Sequence, residues 1–427
     1  MQKVLILAYF FPPSNQVGGE RPQAWANFLS ENGFFPIIVT RQWNEGQVNL
    51  TDFVSNNVFQ HEKYDTYEVY RLPYHFSLRD KLASFPALRI LQRAFTLVEQ
   101  ILSNFFINAL PFANFLQTAR KVLQNDKDIA CVIATGRPFT LFHIAHQLKK
   151  EFHIPYIADY RDEWNTYQQR RPANLGYRLL FALEKRSEKN WTSNADAFFS
   201  TSNYWVASIH SYIGKEGFTV MNGYKESAPP PLLPTTRLNN VLTLGYVGTL
   251  YPEQPIEAIL EVCRELLNDH PKCLHLVFIG IEMVPGQTAR IQRILKGFEK
   301  SYEILPRMLP SELLKVYSRI DIMCVTGFDG IKGWYPVKIF ENFKNTNPML
   351  LYPSDQDVIE TFIEETKSGI VANTPKECKD QITQWIAMKT SGKEIVFPFD
   401  QEKGSKYSRR HQVSIMAGYL RQIIRKQ

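Results

Sequence analysis

In the segment GWYPVKIFENF, residues 333–343, Lys338 and Glu341 stand three positions apart on a short apolar stretch that runs on towards PMLLYPS. That spacing is nearly one helical turn, so both side chains share a face. A lysine there offers a point cation to a phosphate, and a carboxylate accepts from two ribose hydroxyls at once. An exposed charge pair on a solvated helix is the plain alternative.

Other residues of the same kind recur at the ends of apolar runs. YVGTLYPEQP places Gly248 and Thr249 after such a run and before a helical pattern, where backbone amides can cradle a diphosphate. LPRMLP presents Arg307 towards a base. Further upstream, FFPPSNQVGGERP carries Gly18 and Gly19 ahead of a helix opened by Pro22, so that amides and the helix dipole favour an anion or a sugar oxygen. A flexible strand-to-helix loop explains the glycines equally simply. ATGRPF puts Arg137 where it can meet a phosphate or sugar, and IADYRDEWN gathers Asp159, Arg161, Asp162 and Trp164. So many polar and aromatic groups at a strand end line a site better than they build a core, although an Asp–Arg–Asp lattice bracing the loop remains the alternative. His143 and His146 lack a third metal ligand and read as packing.

Strands must position these groups. KVLILAY, FPIIVT, ACVIATG, PYIADYR and AFFSTS alternate with helical patterns in the first half; LTLGYVG, LHLVFIG, YEILPRM, DIMCVT, PMLLYPS and GIVAN do so in the second. The class is α/β, with two Rossmann-like parallel-sheet domains and ligands at the carboxyl ends of the strands. The expected division is 1–222, a Pro-rich linker at 223–240, 241–403, and a last helical segment at 404–427 packing back across the linker, with a cleft between the domains.

A chain of 427 residues suits two such domains. The opening MQKVLILAYFFPP reads as a first strand rather than a signal peptide, and no apolar run reaches membrane-spanning length. Five cysteines without CxxC spacing suggest reduced core thiols and a cytoplasmic location, with neither a disulfide framework nor a zinc site. The net charge of +7 fits a polyanionic partner, yet no basic run interleaved with aromatics points to nucleic acid. Residues 77–122 break the alternation: they are helical in pattern, rich in Phe and Leu, and basic. Contact with an anionic membrane surface and an ordinary core-facing insertion are both consistent with that pattern.

In order, YFFPP…GGERP, IPYIADYRDEW, VMNGY, GYVGTLY, VKIFENF and YSRR resemble the GT-B glycosyltransferases of family 4, in the branch of bacterial polysaccharide assembly. The resemblance spans the chain. It implies retaining transfer of a sugar from a nucleoside diphosphate-sugar, held by the C-terminal domain, to a glycan or lipid-linked acceptor on the N-terminal one, without metal or cofactor. The enzyme would then be cytoplasmic, peripheral on the inner face of the plasma membrane. Lys338 would face the leaving diphosphate and Glu341 the ribose; Asp159 and Arg161 would position the acceptor or donor sugar.

Two departures stand out. The family's first glutamate falls on Gly333, and GTLYPEQP lacks the usual basic pair. Two Asp-x-Asp triplets occur, 126/128 and 355/357, and only the second follows a strand as a metal site would. A nucleotide-sugar 2-epimerase of the same fold and a non-catalytic sugar-nucleotide or glycan-binding protein are the other readings.

Overall fold

A computed structural model describes residues 1–14, 16–44, 58–83, 85–103, 105–107, 111–168, 175–226, 240–308 and 310–426. It divides into two compact units, 1–222 with 409–427, and 223–408. Most of the expected linker, 227–239, lies outside the described residues.

The first unit runs β1 (Gln2–Ala8), α1 (Glu20–Phe28), β2 (Phe34–Arg41), β3 (Gln60–Lys63), β4 (Glu68–Leu72), α2 (Leu78–Ala83), α3 (Arg89–Ser103), α4 (Ala113–Asn125) and β5 (Ile129–Gly136). It continues through α5 (Thr140–Phe152), β6 (Tyr156–Tyr160), α6 (Leu175–Thr192), β7 (Ala197–Ser200), α7 (Asn203–Ile213) and β8 (Gly217–Thr219). Among the described residues its sheet has the order β3-β4-β2-β1-β5-β6-β7-β8, parallel except where β3 meets β4. Val4 through Ala8 of β1 are fully buried, as a central parallel strand covered by helices on both faces requires.

The second unit comprises β9 (Leu242–Val247), α8 (Ile256–Asp269), β10 (Leu274–Ile279), α9 (Gln287–Ile294), β11 (Tyr302–Leu305), α10 (Pro310–Tyr317) and β12 (Ile322–Val325). Then follow α11 (Val337–Lys344), β13 (Met349–Leu351), α12 (Val358–Thr366), β14 (Gly369–Val371), α13 (Pro375–Thr390) and α14 (Gln401–Ser405). Its sheet, β11-β10-β9-β12-β13-β14, is parallel throughout.

Local chemistry sets many boundaries. α13 opens on a capping arrangement: Thr374 Oγ1 accepts from Glu377 N at 3.2 Å, the Glu377 carboxylate accepts from Asn373 N at 2.9 Å, and Pro375 occupies the first turn. α7 begins on Ser202, whose hydroxyl accepts from Trp205 N, and ends at Gly214 with φ 69°.

The last helix, α15 (Arg409–Arg425), belongs to the first unit, where Val413, Met416, Ala417, Leu420 and Ile423 join the β1–β2–β5 core. Arg410 pairs with Glu31 at 2.8 Å. The stretch before it, including α14, stays with the second unit, because Gly404 packs so closely on Phe343 that a Cβ would lie 1.9 Å from the ring.

The Phe-rich region 77–122 divides by burial. Phe115, Leu116, Ala119, Val122 and Leu123 of α4 enter the core, whereas α3 has no buried residue. Arg41, itself buried, ties α4 to β2 by donating to Asn114 Oδ1 at 2.9 Å beneath the Phe115 ring. All five cysteines are free.

In the second unit a buried ion pair joins sheet to helix. Asp321 accepts from Lys389 Nζ at 2.9 Å and from Thr243 N at 2.8 Å. Asp321→Ala would leave a buried ammonium without its countercharge, so a loss of about 3–5 kcal/mol in unfolding free energy is expected. Urea titration of the full chain measures it, and an unshifted midpoint would mean that Lys389 escapes to water.

Candidate functional site

Each sheet has one place where the crossovers diverge. In the first, the chain steps from β1 outward through β2 and then returns to β5 on the other side of β1; in the second, β9 is flanked by β10 and β12 in the same way. Crevices at such switch points open at the carboxyl ends of the strands. They bring together the loop after β1 with that after β5, and the loop after β9 with the segment after β12.

In the second unit the segment after β12 leads into α11, whose Ile339, Phe340, Asn342 and Phe343 are buried while Lys338, Glu341 and Lys344 form a half-buried stripe. The Lys338 Nζ is buried without a hydrogen-bond partner and lies 3.7 Å from the centre of the Tyr246 ring. Burial pulls its pKa down from 10.5 to about 7. It sits in the first turn of α11, where the helix dipole also favours an anion. Glu341 Oε1 lies 3.5 Å from Lys225 N, and its charge adds to the burial that pushes the Tyr317 phenol up.

The loop after β9 is braced from beneath. Gln254, fully buried, accepts through Oε1 from Tyr246 O–H at 3.0 Å and from Tyr251 N at 3.1 Å, and its Nε2 donates to Thr326 Oγ1 at 3.2 Å. Arg290 donates to Gln254 O at 2.6 Å and to Tyr251 O at 3.1 Å while paired with Glu257. The loop therefore holds its shape by side-chain hydrogen bonds rather than by a basic pair of its own.

Several expectations change here. The Gly248 amide donates to Ile279 O at 2.8 Å, so it is not directed at a ligand, and Gly248 instead supplies a turn at φ 100°. Thr249 is the neighbour left to offer an amide. Gly333, at φ 75°, donates its amide to Asp357 Oδ2 at 2.5 Å; a buried left-handed position does not suit a glutamate. Asp355 accepts from Ile359 N at 2.8 Å and Glu360 N at 3.0 Å, capping α12. The 355/357 carboxylates thus serve backbone amides, and the described residues contain no group of three or more potential metal ligands. Arg307 is exposed after β11, beside Gly280 and Met283.

In the first unit, Asp159 is fully buried against Arg21: Nη2 donates to Oδ1 at 2.7 Å and Nε to Oδ1 at 3.1 Å and Oδ2 at 3.2 Å, while Nη1 donates to Val220 O at 2.7 Å and Met221 O at 3.1 Å. This carboxylate is a brace rather than a surface for substrate. Trp164 is likewise inside, stacked on Phe139 with centroids 4.4 Å apart. His143 and His146 are buried too, bonded to Ser103 O at 2.9 Å and Asn194 Oδ1 at 2.7 Å.

What remains at the crevice is a smaller set. Arg161 donates to Asp162 Oδ2 at 3.1 Å and packs against Gly18, where a Cβ would meet its Nη1 at 2.0 Å. At Gly19 a Cβ would lie 3.3 Å from Phe11 N, a less severe approach. Arg137 is exposed at the end of β5, directly beside β6, in the register Gly136↔Tyr160. Arg21, Tyr246 and Gln254 were not foreseen as site residues. All three stand inside quoted motifs, but nothing in the sequence marks them as long-range partners.

No protein-family model and no curated protein matches the chain. Solved structures do. Sucrose-phosphate synthase from Thermosynechococcus elongatus superposes with a TM-score of 0.63 at 13% identity, over 100% of both chains. A glycosyltransferase from Rickettsia africae gives 0.61 at 10% identity, over 100% of this chain and 99% of that one. HepE of Anabaena, in complex with UDP and glucose, gives 0.53 at 11% identity, over 100% and 98%. These likenesses show the fold, that of the GT-B glycosyltransferases, with its two Rossmann-like domains.

The Arg21–Asp159 geometry makes a direct prediction. Asp159→Ala is expected to lower unfolding free energy by about 3–5 kcal/mol, whereas Arg161→Ala, at a crevice, changes it by no more than about 1 kcal/mol. Chemical denaturation of both variants tests the contrast; equal midpoints would return Asp159 to the list of chemical groups.

Proposed function

We propose that the chain is a retaining glycosyltransferase that moves a sugar from a nucleoside diphosphate-sugar to a glycan or lipid-linked acceptor in cell-surface polysaccharide synthesis. The observation that carries this reading is the buried, unpartnered ammonium of Lys338 over Tyr246, at the N-terminus of α11. A buried cation without a countercharge is costly, and a diphosphate supplies one. The structural neighbours, sucrose-phosphate synthase and a protein in complex with UDP and glucose, support the same donor class.

In this reading the bond from the anomeric carbon to the diphosphate oxygen breaks, and a bond to an acceptor hydroxyl oxygen forms on the same face of the sugar. The acceptor proton passes to the departing diphosphate. Lys338, the α11 N-terminus and the Thr249 amide stabilise the charge that develops on that group. Glu341 receives the ribose hydroxyls. Arg161, Asp162 and Arg137 act on the acceptor, in place of Asp159. Neither a metal nor a cofactor enters the scheme.

A nucleotide-sugar panel read by thermal shift identifies the donor, since a ligand at a hundredfold over its Kd adds about 2.7 kcal/mol. Turnover of donor alone to its epimer, or binding without any turnover, would replace the transferase reading. Lys338→Ala is expected to lower kcat/KM by about 2–4 kcal/mol. Glu341→Ala should raise the donor KM with the fold intact.

Protonation gives an independent test. With its pKa near 7, Lys338 in the ligand-free protein favours the neutral amine above that pH, so folding stability should rise as pH climbs from 7 towards lysine's ordinary 10.5. A bound diphosphate restores the cation. Calorimetry at about pH 8 in buffers of different ionisation enthalpy should therefore register uptake of up to about one proton per nucleoside diphosphate bound, abolished in Lys338→Met. Buffer-independent heats would show that the ammonium does not meet the ligand.

A further inference from the structure

α3 carries its main apolar stripe on the outside. Its apolar stripe, Ile90, Leu91, Ala94, Leu97, Val98 and Ile101, follows helical spacing, and every one of these residues is exposed, Ile90 by 83%. Its half-buried side carries Gln92, Thr96, Glu99 and Ser103 together with Phe95 and Leu102. That side is also the one held: Glu99 lies 3.7 Å from Arg79, and Ser103 O is 2.9 Å from the buried His143 Nδ1. The inner face is therefore held by these polar contacts together with Phe95 and Leu102, and the larger apolar stripe is left outside. Phe105 and Phe106, just beyond its end, are exposed by 64% and 61%.

The charge along its border bears on what covers this face. Arg89 and Arg93 are exposed along one border of the stripe and make no hydrogen bond or ion pair, and no acidic side chain of α3 is exposed. The acidic Glu99 is on the opposite, half-buried side. A continuous apolar face edged by unpaired guanidinium groups matches a surface that is apolar within and anionic at its rim. We propose that α3 is the membrane-docking element of the first unit, lying in the interface of an anionic bilayer with Ile90, Leu97 and Ile101 among the acyl chains and Arg89 and Arg93 on lipid phosphates. None of the described helices is long and apolar enough to cross a membrane, so this contact lies along the surface. The inference goes beyond the catalytic reading and does not require it.

The experiment is flotation of the full-length protein, without donor or acceptor, on vesicles of phosphatidylcholine alone and of an equimolar mixture with phosphatidylglycerol. Binding is expected only to the mixture and should weaken as salt rises. Arg89→Glu with Arg93→Glu should weaken it about tenfold or more, each basic residue near the surface contributing roughly equally. Ile90→Ser with Leu97→Ser should abolish it. Because all four positions are exposed, circular dichroism and the melting temperature of both variants should match the wild type. A wild-type protein that stays at the bottom of the gradient with both vesicles, or variants that float as well as it does, overturns the proposal. So does sedimentation showing a dimer that the Ile90/Leu97 variant converts to a monomer, which would make the face a contact between copies. Vesicle binding and nucleotide binding are read separately, so either can fail alone.

Discussion

The Arg21 guanidinium is the joint on which the first unit's crevice depends. It carries charge out of water at the start of α1, and burial is tolerable only because a carboxylate and two carbonyls meet its donors: Asp159 at the end of β6, and Val220 and Met221 where the chain leaves β8. Three segments distant in sequence are fixed by one planar group with five donors, which a lysine could not replace. Just beyond the joint, Gly18 leaves the room in which the Arg161 guanidinium sits.

The second unit solves a different electrostatic problem. Its Asp321–Lys389 pair is satisfied in the same way as Arg21–Asp159, deep in the fold and between elements. Lys338 is not. Its ammonium rests on an aromatic face, which offsets part of the desolvation but supplies no hydrogen-bond acceptor. A fold that gives Arg21, Arg41 and Lys389 hydrogen-bond acceptors and leaves this buried cation without one, at a helix N-terminus, has a polarised site beside the loop that Gln254 braces.

The contrast between α3 and α4 shows how far composition reaches. Both helices come from one Phe- and Leu-rich stretch, and both are amphipathic. α4 is drawn inward because Arg41 and the aromatic rings around it anchor its start to β2. α3 is held by Glu99 and Ser103 with Phe95 and Leu102 beside them, so its larger apolar stripe is left outside. Helical periodicity reports that a helix has an apolar face; it does not report which way that face points.

By itself, the sequence determined the α/β class, the two series of strands and the loops at their carboxyl ends, because periodicity, glycines and prolines act locally and are written residue by residue. It also marked Lys338 and Glu341 through their spacing on one short helix. Only the tertiary structure decided which polar residues face a crevice. Asp159 and Trp164 belong to the same short motif as Arg161 and Asp162, yet the first two turn inward to Arg21 and Phe139 while the latter pair stays at the crevice. Likewise Gly248 and Gly333 spend their amides on Ile279 and Asp357, partners that a strand register and a distant loop deliver. The physical reason is common to all four: a polar group's role is set by the partner that burial forces on it, and that partner is remote in the chain.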